Sequence, residues 1–236
     1  MDGRRNFAGE LNKMQAVKIF LFLSFVVFGF FNSSAQQERY VKPFDEAKKD
    51  ASFLAFRTKL VEAAKKRDAK YVLSIASRDI KNGFGGNDGI EEFKKQWKID
   101  RADSEFWDKF LPVITNGGKF FEKTGELFIA PYAFHRFPED LDASSHGVIF
   151  GSNVNLRSKA DTNSPVFASL SYNIVEILEP ITDRKNTEKI TWYEVKTLGG
   201  KRGFVKAEFV RTQFDYRAGF EKENGKWKMT FFLAGD

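Results

Sequence analysis

Between Val154 and Arg211 apolar and polar residues alternate over runs of a few positions, each stopped by Gly, Pro, Asn or Asp, which is the pattern of short strands. The runs are Val154-Asn155-Leu156-Arg157, Val166 to Leu170, Ile174 to Leu178 and Trp192 to Lys196. The last turns at Gly199-Gly200-Lys201-Arg202-Gly203 into Phe204-Val205-Lys206, and the polar stretch Ser158 to Pro165 reads as the loop after the first. Strands this short and closely spaced predict a small closed barrel at 151–211.

Upstream the hydrophobic period changes to that of helices. Ala51 to Arg67 places Phe53, Leu54, Leu60, Val61 and Ala64 on one stripe, with Asp50 as the cap. Asp68 caps a shorter helix with Tyr71, Val72 and Ile75 inward. The glycine-rich loop Asn82 to Gly89 follows, and Asp88 is the expected cap of a helix carrying Ile90, Phe93 and Trp97. Ser104 opens a fourth helix with Phe106, Phe110, Leu111 and Ile114, ending at Asn116-Gly117-Gly118. Lys119 to Glu122 and Glu126 to Ala130 are predicted to pair across Lys123-Thr124-Gly125. Residues 37–140 therefore read as an α+β domain, helices first.

After the barrel, Asp215 to Lys222 and Lys226 to Leu233 form a predicted hairpin, because Asn224-Gly225 is the preferred two-residue turn between strands. Counting outward from it pairs Phe220 with Met229, Ala218 with Phe231, and Tyr216 with Leu233 on one face, and sets Glu221 opposite Lys228 on the other. A ribbon with one apolar face has to cover something. The hairpin at 212–236 is expected to return to the α+β domain and finish its sheet, leaving the barrel as an insertion.

Composition adds an address. Ile19 to Phe31 is apolar except for Ser24, preceded by Lys13 and Lys18 and followed by Asn32-Ser33-Ser34-Ala35-Gln36. The run is short for a bilayer span, which needs about 20 residues. Its flanks fit a signal peptide over 1–35, so the mature protein is expected to be periplasmic or secreted rather than membrane-spanning. Losing Arg4, Arg5, Lys13 and Lys18 together with Asp2 and Glu10 lowers the net charge from +6 to +4. That mild excess, with its densest run Lys65-Lys66-Arg67 at a helix end, points away from nucleic acid. The absence of cysteine excludes disulfides, thiolate nucleophiles and a lipid anchor on an N-terminal Cys.

No catalytic constellation emerges. The closely spaced glycines of Gly83 to Gly89 would let amides approach an anion, but the loop lacks the Lys-Ser/Thr of a phosphate loop and reads as a turn. Phe84 within it is an aromatic able to line a pocket mouth. His135 and His146, with Glu139, Asp140 and Asp142, supply zinc-type ligands, but at spacings of a solvated linker in which Pro131, Pro138 and Gly147 mark loop. No G-x-S-x-G elbow occurs, and Ser145 and His146 are adjacent, which does not build a triad. No metal, cofactor or catalytic residue is expected.

The order Val154-Asn155-Leu156-Arg157, Trp192-Tyr193-Glu194-Val195, then Gly200-Lys201-Arg202-Gly203-Phe204-Val205 resembles the bacterial SH3 domain, with its V-N-V-R opening, W-x-x-V strand and G-x-x-G-W-V hairpin. The chain departs from that pattern in carrying Lys159-Ala160 where the family has Gly or Pro, and Phe204 for Trp. It also has Tyr172-Asn173 where the family has Gly, with Asn as the residue suited to a left-handed backbone. The resemblance implies an exported, bacterial, non-catalytic binding module whose partner is peptidoglycan or an envelope protein segment. Tyr172, Tyr193, Arg202 and Phe204 are its candidate ligand-binding residues, and Phe84 is a further one outside it. Alternation lets only one of Trp192 and Tyr193 face a ligand, and Trp192 is expected in the core. Helices, a sheet and a final Gly225-Lys226-Trp227-Lys228-Met229 strand are also similar to the nuclear transport factor 2-like cone fold. Two rival readings stay open: an enzyme whose site lies in the α+β cavity, targeted by the barrel, and a structural partner in an envelope complex.

Overall fold

The computed structural model describes residues 37–121, 126–187 and 189–235. The predicted signal peptide at 1–35 and the turn Lys123-Thr124-Gly125 lie outside these described residues.

Helix α1, Ala51–Lys65, starts where the Asp50 carboxylate accepts the Ser52 and Phe53 amides at 2.8 and 3.0 Å, satisfying two donors that a helix start leaves open. It buries Phe53, Leu60, Ala63 and Ala64. Helix α2, Ala69–Ile75, is capped by Asp68, which accepts the Tyr71 amide. A strand absent from the sequence reading follows at once: β1, Ala76–Lys81. Ser77, Arg78 and Asp79 dilute any strand signal there, and the segment is extended because it pairs in parallel with the chain's final strand.

Helix α3 spans Ile90–Trp97, and its cap differs from expectation. Gly89 occupies the cap position at φ 96°, with its N–H donating to the Ile80 carbonyl at 2.8 Å. The Asp88 carboxylate instead accepts the Asn82 amide and the Lys81 ammonium, closing the loop on itself. Helix α4, Phe106–Thr115, begins after Ser104, whose hydroxyl accepts the Phe106 amide and donates to the Trp97 carbonyl.

Strands β2, Lys119–Phe120, and β3, Phe128–Ala130, pair antiparallel as read from the sequence. Seven described strands, β4 to β10, lie between β3 and the hairpin and form a sheet of their own. β11, Arg217–Glu223, and β12, Lys226–Leu233, then complete a five-stranded sheet ordered β1-β12-β11-β3-β2. The hairpin register holds near the turn, with Phe220 opposite Met229 and Glu221 opposite Lys228. Farther out a bulge slips it by one, so that Gly219 meets Phe231, Ala218 meets Phe232 and Arg217 meets Leu233. The slip lets both Met229 and Phe232 reach the core, while the Phe231 ring lies over Gly219, where a side chain would overlap it. The expected Glu221–Lys228 ion pair gives way to other partners: Lys228 donates to the Ser74 carbonyl at 2.7 Å, and Glu221 accepts the Thr230 hydroxyl at 3.5 Å.

Aromatic rings fill the space between helices and sheet. Phe53 stands 4.2 Å from Phe128 and 4.9 Å from Trp227, centroid to centroid, and Phe106 stacks on Phe110 at 4.7 Å.

The remaining strands are β4, His146–Ile149; β5, Val154–Arg157; β6, Val166–Leu170; β7, Ile174–Thr182; β8, Ile190–Thr197; β9, Arg202–Lys206; and β10, Val210–Arg211. They form one antiparallel sheet ordered β10-β4-β7-β8-β9-β5-β6. It curls into a half-barrel around Val154, Leu156, Leu170, Val175, Val195 and Val205. The closed barrel expected from the sequence is corrected here: among the described residues no ladder joins β6 to β10. The sheet also starts before residue 151, because β4 pairs with β7 and β10. Gly147, expected as loop, sits inside that strand, where the Arg211 carbonyl and the Ile177 and Val210 side chains approach a hypothetical Cβ to 3.0–3.1 Å.

Residues 39–41 run against the turn before β7. The Arg39 carbonyl accepts the Ile174 amide, and the Val41 amide donates to the Tyr172 carbonyl, each at 2.9 Å. Val41, Tyr132, Val148, Phe150 and Ile174 make a further buried cluster there. No helix among the described residues is long and apolar enough to cross a membrane.

Candidate functional site

The pleat of β8 and β9 sorts the candidate residues onto two faces. Val195 and Val205 are fully buried in the half-barrel core, so Tyr193, which shares their face and pairs with Val205, packs partly buried against that core. Burial raises the Tyr193 phenol pKa. Trp192, Glu194 and Lys196 turn the other way, opposite Lys206, Phe204 and Arg202. Trp192 is buried, as expected from the sequence, and is the more buried of the two, but it lies outside the valine cluster on which Tyr193 packs and forms a wall of a groove of about 620 Å³.

A hydrogen-bonded loop, the start of β8 and a 3₁₀ turn build that groove. On one side Ala160, Asp161 and Thr162 come from the β5–β6 loop. Arg157 Nη1 donates to the Ser164 carbonyl at 2.7 Å, the Ser164 hydroxyl donates to the Lys159 and Asp161 carbonyls, and Asp161 Oδ1 accepts the Asn163 amide. Side-chain hydrogen bonds thus hold a loop in which Lys159-Ala160 replaces the Gly or Pro expected there. On the other side lie Lys189 and Ile190, and Lys206 leads into the 3₁₀ turn Ala207–Phe209. Two lysines and two carboxylates rim the apolar floor, with the Lys206 ammonium 3.5 Å from Glu208.

Farther along the same face, Arg202 Nε donates to Glu194 at 2.7 Å. This hydrogen bond lowers the Glu194 pKa and raises that of Arg202. Phe204 is half-buried beside that pair, opposite both Glu194 and Arg157. Gly203 explains part of the hairpin motif: a Cβ there would come 2.7 Å from the Arg157 carbonyl and 2.9 Å from the Phe167 ring, so the strands meet only over glycine.

Tyr172 takes the left-handed conformation, φ 60°, that the sequence reading assigned to Asn173. Asn173 is buried and used otherwise, its Oδ1 accepting the Ser171 amide and its Nδ2 donating to Glu38. Tyr172 is fixed by its own backbone, with its amide donating to Gly151 and its carbonyl accepting Val41. Phe84 is 59% exposed on the Asn82–Gly89 loop, with the Arg217 guanidinium 5.6 Å from its ring, and so belongs to the five-stranded part. Arg202 and Phe204 share the face of Trp192, whereas Tyr193 and Phe84 do not. Lys189, Lys206 and Thr162 were not among the residues expected from the sequence; alternation puts Lys206 on the face away from Val205, and the β8–β9 register sets it opposite Trp192.

His135 and His146 answer to different partners. His135 Nε2 lies 2.9 Å from the Ile129 carbonyl with its pKa lowered by burial, and His146 Nδ1 lies 3.0 Å from the Asp142 carbonyl. Asp140 is held by a two-pronged contact with Arg39.

With the groove and its strands defined, the class follows from the segment's sequence as well as its shape. Residues 152–211 match the family model described as bacterial SH3 domain, which supports the resemblance carried by the opening strand, the Trp192 strand and the glycine hairpin. No curated protein matches the chain.

Proposed function

We propose that the protein is an exported bacterial envelope protein, periplasmic or secreted, that uses the Trp192 groove to hold peptidoglycan or an envelope protein segment without catalysing a reaction. The observation that carries this reading is the bacterial SH3 match over 152–211 coinciding with an aromatic-walled, charge-rimmed groove on the same strands. A groove with an apolar floor and cations of both lysines suits an extended polymer bearing peptide carboxylates. The α+β part, with its helices before the sheet and the Trp227 strand at the end, is read as a cone-like support, and the half-barrel as an insertion in it.

Glu46, Asp50, Asp88, Asp103, Asp140, Asp142 and Glu194 have lowered pKa values, through hydrogen bonds to cations, hydroxyls or amides, which unsuits these carboxylates as general acids at neutral pH.

Co-sedimentation with purified sacculi at low salt tests the proposal. The protein is expected in the pellet, and Trp192→Ala should weaken retention by about thirtyfold, the effect of a central aromatic anchor. Wild-type protein left in the supernatant would remove peptidoglycan as the ligand.

A further inference from the structure

We propose that the open edge of the half-barrel is a self-association surface, on which β6 pairs antiparallel with β6 of a second copy of this chain. An edge strand presents a row of unpaired N–H and C=O groups, and folded proteins guard it by charge, by brevity or by a cover. Three of the four edges of the described sheets follow that rule. β1 carries Arg78, Asp79 and Lys81, and the loop beside it donates the Gly89 amide to the Ile80 carbonyl at 2.8 Å. β2 is two residues long, and its Phe120 amide is taken by Glu46 Oε2 at 3.2 Å. β10 is also two residues long, with the Arg211 guanidinium 5.4 Å from the centre of the Phe150 ring. β6 has none of these guards. Its five residues, Val166-Phe167-Ala168-Ser169-Leu170, carry no charge, and β5 is its one neighbour among the described residues, with no hydrogen bond reaching its other side. Val166 is 45% and Phe167 52% exposed.

Charge selects the occupant. No Asp, Glu, Lys or Arg stands between Asp161 and Glu176, in a chain with 30% charged residues. The chain's formal net charge is +6, so two copies repel over most of their surfaces, and this uncharged edge is where they can meet without like charges opposed. A strand from a charged partner would find no ion of either sign on β6 to recognise it. The strand is also complementary to itself. A two-fold axis through Ala168 sets Val166 of one copy opposite Leu170 of the other, Phe167 opposite Ser169, and Ala168 opposite Ala168, so each ring faces a small side chain. Five residues of strand are about 17 Å long, a seam burying less than the roughly 1,200 Å² of a tight complex. The dimer is therefore weak, with a Kd on the order of 10–100 µM.

Sedimentation velocity of residues 36–236, which form one compact unit, tests this over about 2–500 µM. A monomer–dimer equilibrium is expected in that range. Ser169→Lys, an exposed change that adds a charge to the seam, should weaken the dimer by about tenfold or more, with the thermal unfolding of the monomer unchanged. Phe167→Glu should weaken it likewise. Combining the two should recover about threefold or more over Ser169→Lys alone, because the register sets each new carboxylate across from a new ammonium. Trp192→Ala should leave the dimer intact, so that loss of the groove's ligand and loss of the seam are read separately. A protein monomeric at every concentration would mean that the edge awaits a strand of another protein or none, and would overturn the proposal. So would a dimer indifferent to Ser169→Lys, one abolished by Trp192→Ala, or a double variant no tighter than Ser169→Lys.

Discussion

Phe53→Ala removes the ring on which the helices and the five-stranded sheet converge. Phe53 is fully buried, and its centroid lies 4.2 Å from Phe128, 4.9 Å from Trp227, 5.5 Å from Phe120, 5.9 Å from Phe220 and 6.0 Å from Phe56. Emptying such a site costs about 3–5 kcal/mol, more when the walls cannot close in. Here the walls belong to α1, β2, β3, β11 and β12, and each is fixed by its own ladder or helix, so the loss should fall near the top of that range, about 4–5 kcal/mol. With a denaturant slope of about 2 kcal/mol/M, the urea midpoint should drop by about 2 M. Fluorescence and circular dichroism in urea read it, with exposed Phe84→Ala as the reference, for which a change within about 0.5 kcal/mol is expected. A loss below about 2 kcal/mol for Phe53→Ala, or one no larger than that of Phe84→Ala, would refute the placement of this ring at the centre of the core.

Asp50 both caps α1 and meets Lys222 of β11 at 3.0 Å, and its pKa is held far below the ordinary range, first by the Ser52 hydroxyl and then by the Phe53 amide and Lys222. Because the folded value is the lower one, its contribution is complete above the unfolded pKa of about 4 and fades as pH falls toward the folded value. Asp50→Ala should therefore cost about 1–2 kcal/mol at pH 7 and clearly less at pH 2.5, measured by urea unfolding at both; an undiminished gap at low pH would contradict the ionised cap. Gly118→Ala should lower stability by about 2 kcal/mol or more, since φ is 153° and a Cβ would overlap the Ile129 carbonyl, which the β2–β3 pairing holds in place. Thermal unfolding unchanged by that substitution would show that β3 shifts freely. Tyr193→Ala should destabilise the half-barrel by about 2–3 kcal/mol, whereas Arg202→Ala, exposed and ion-paired with Glu194, should stay within about 1 kcal/mol.

Legibility followed how local the signal is. The opening strand, the Trp192 strand, the helix caps at Asp50 and Asp68 and the Asn224-Gly225 turn all depend on neighbours within a few positions, and each stands where the sequence puts it. Strand β1 was not readable, because Ala76 to Lys81 is extended only through its partner at the far end of the chain. The slip at Gly219 was equally hidden, since counting from a turn carries no information about which phenylalanine the core prefers.

The candidate groove divides in the same way. Alternation alone determined that Trp192 and Tyr193 face opposite directions, because the pleat has a period of two whatever surrounds it. Which of the two faces is inside depended on how the sheet curls, a property of seven strands drawn from residues 146 to 211 and of no single stretch. The sequence by itself therefore determined the strands, the caps and the family resemblance of one segment. The tertiary structure decided the faces and the open edge of the half-barrel, because burial and pairing are settled by distant residues meeting in space.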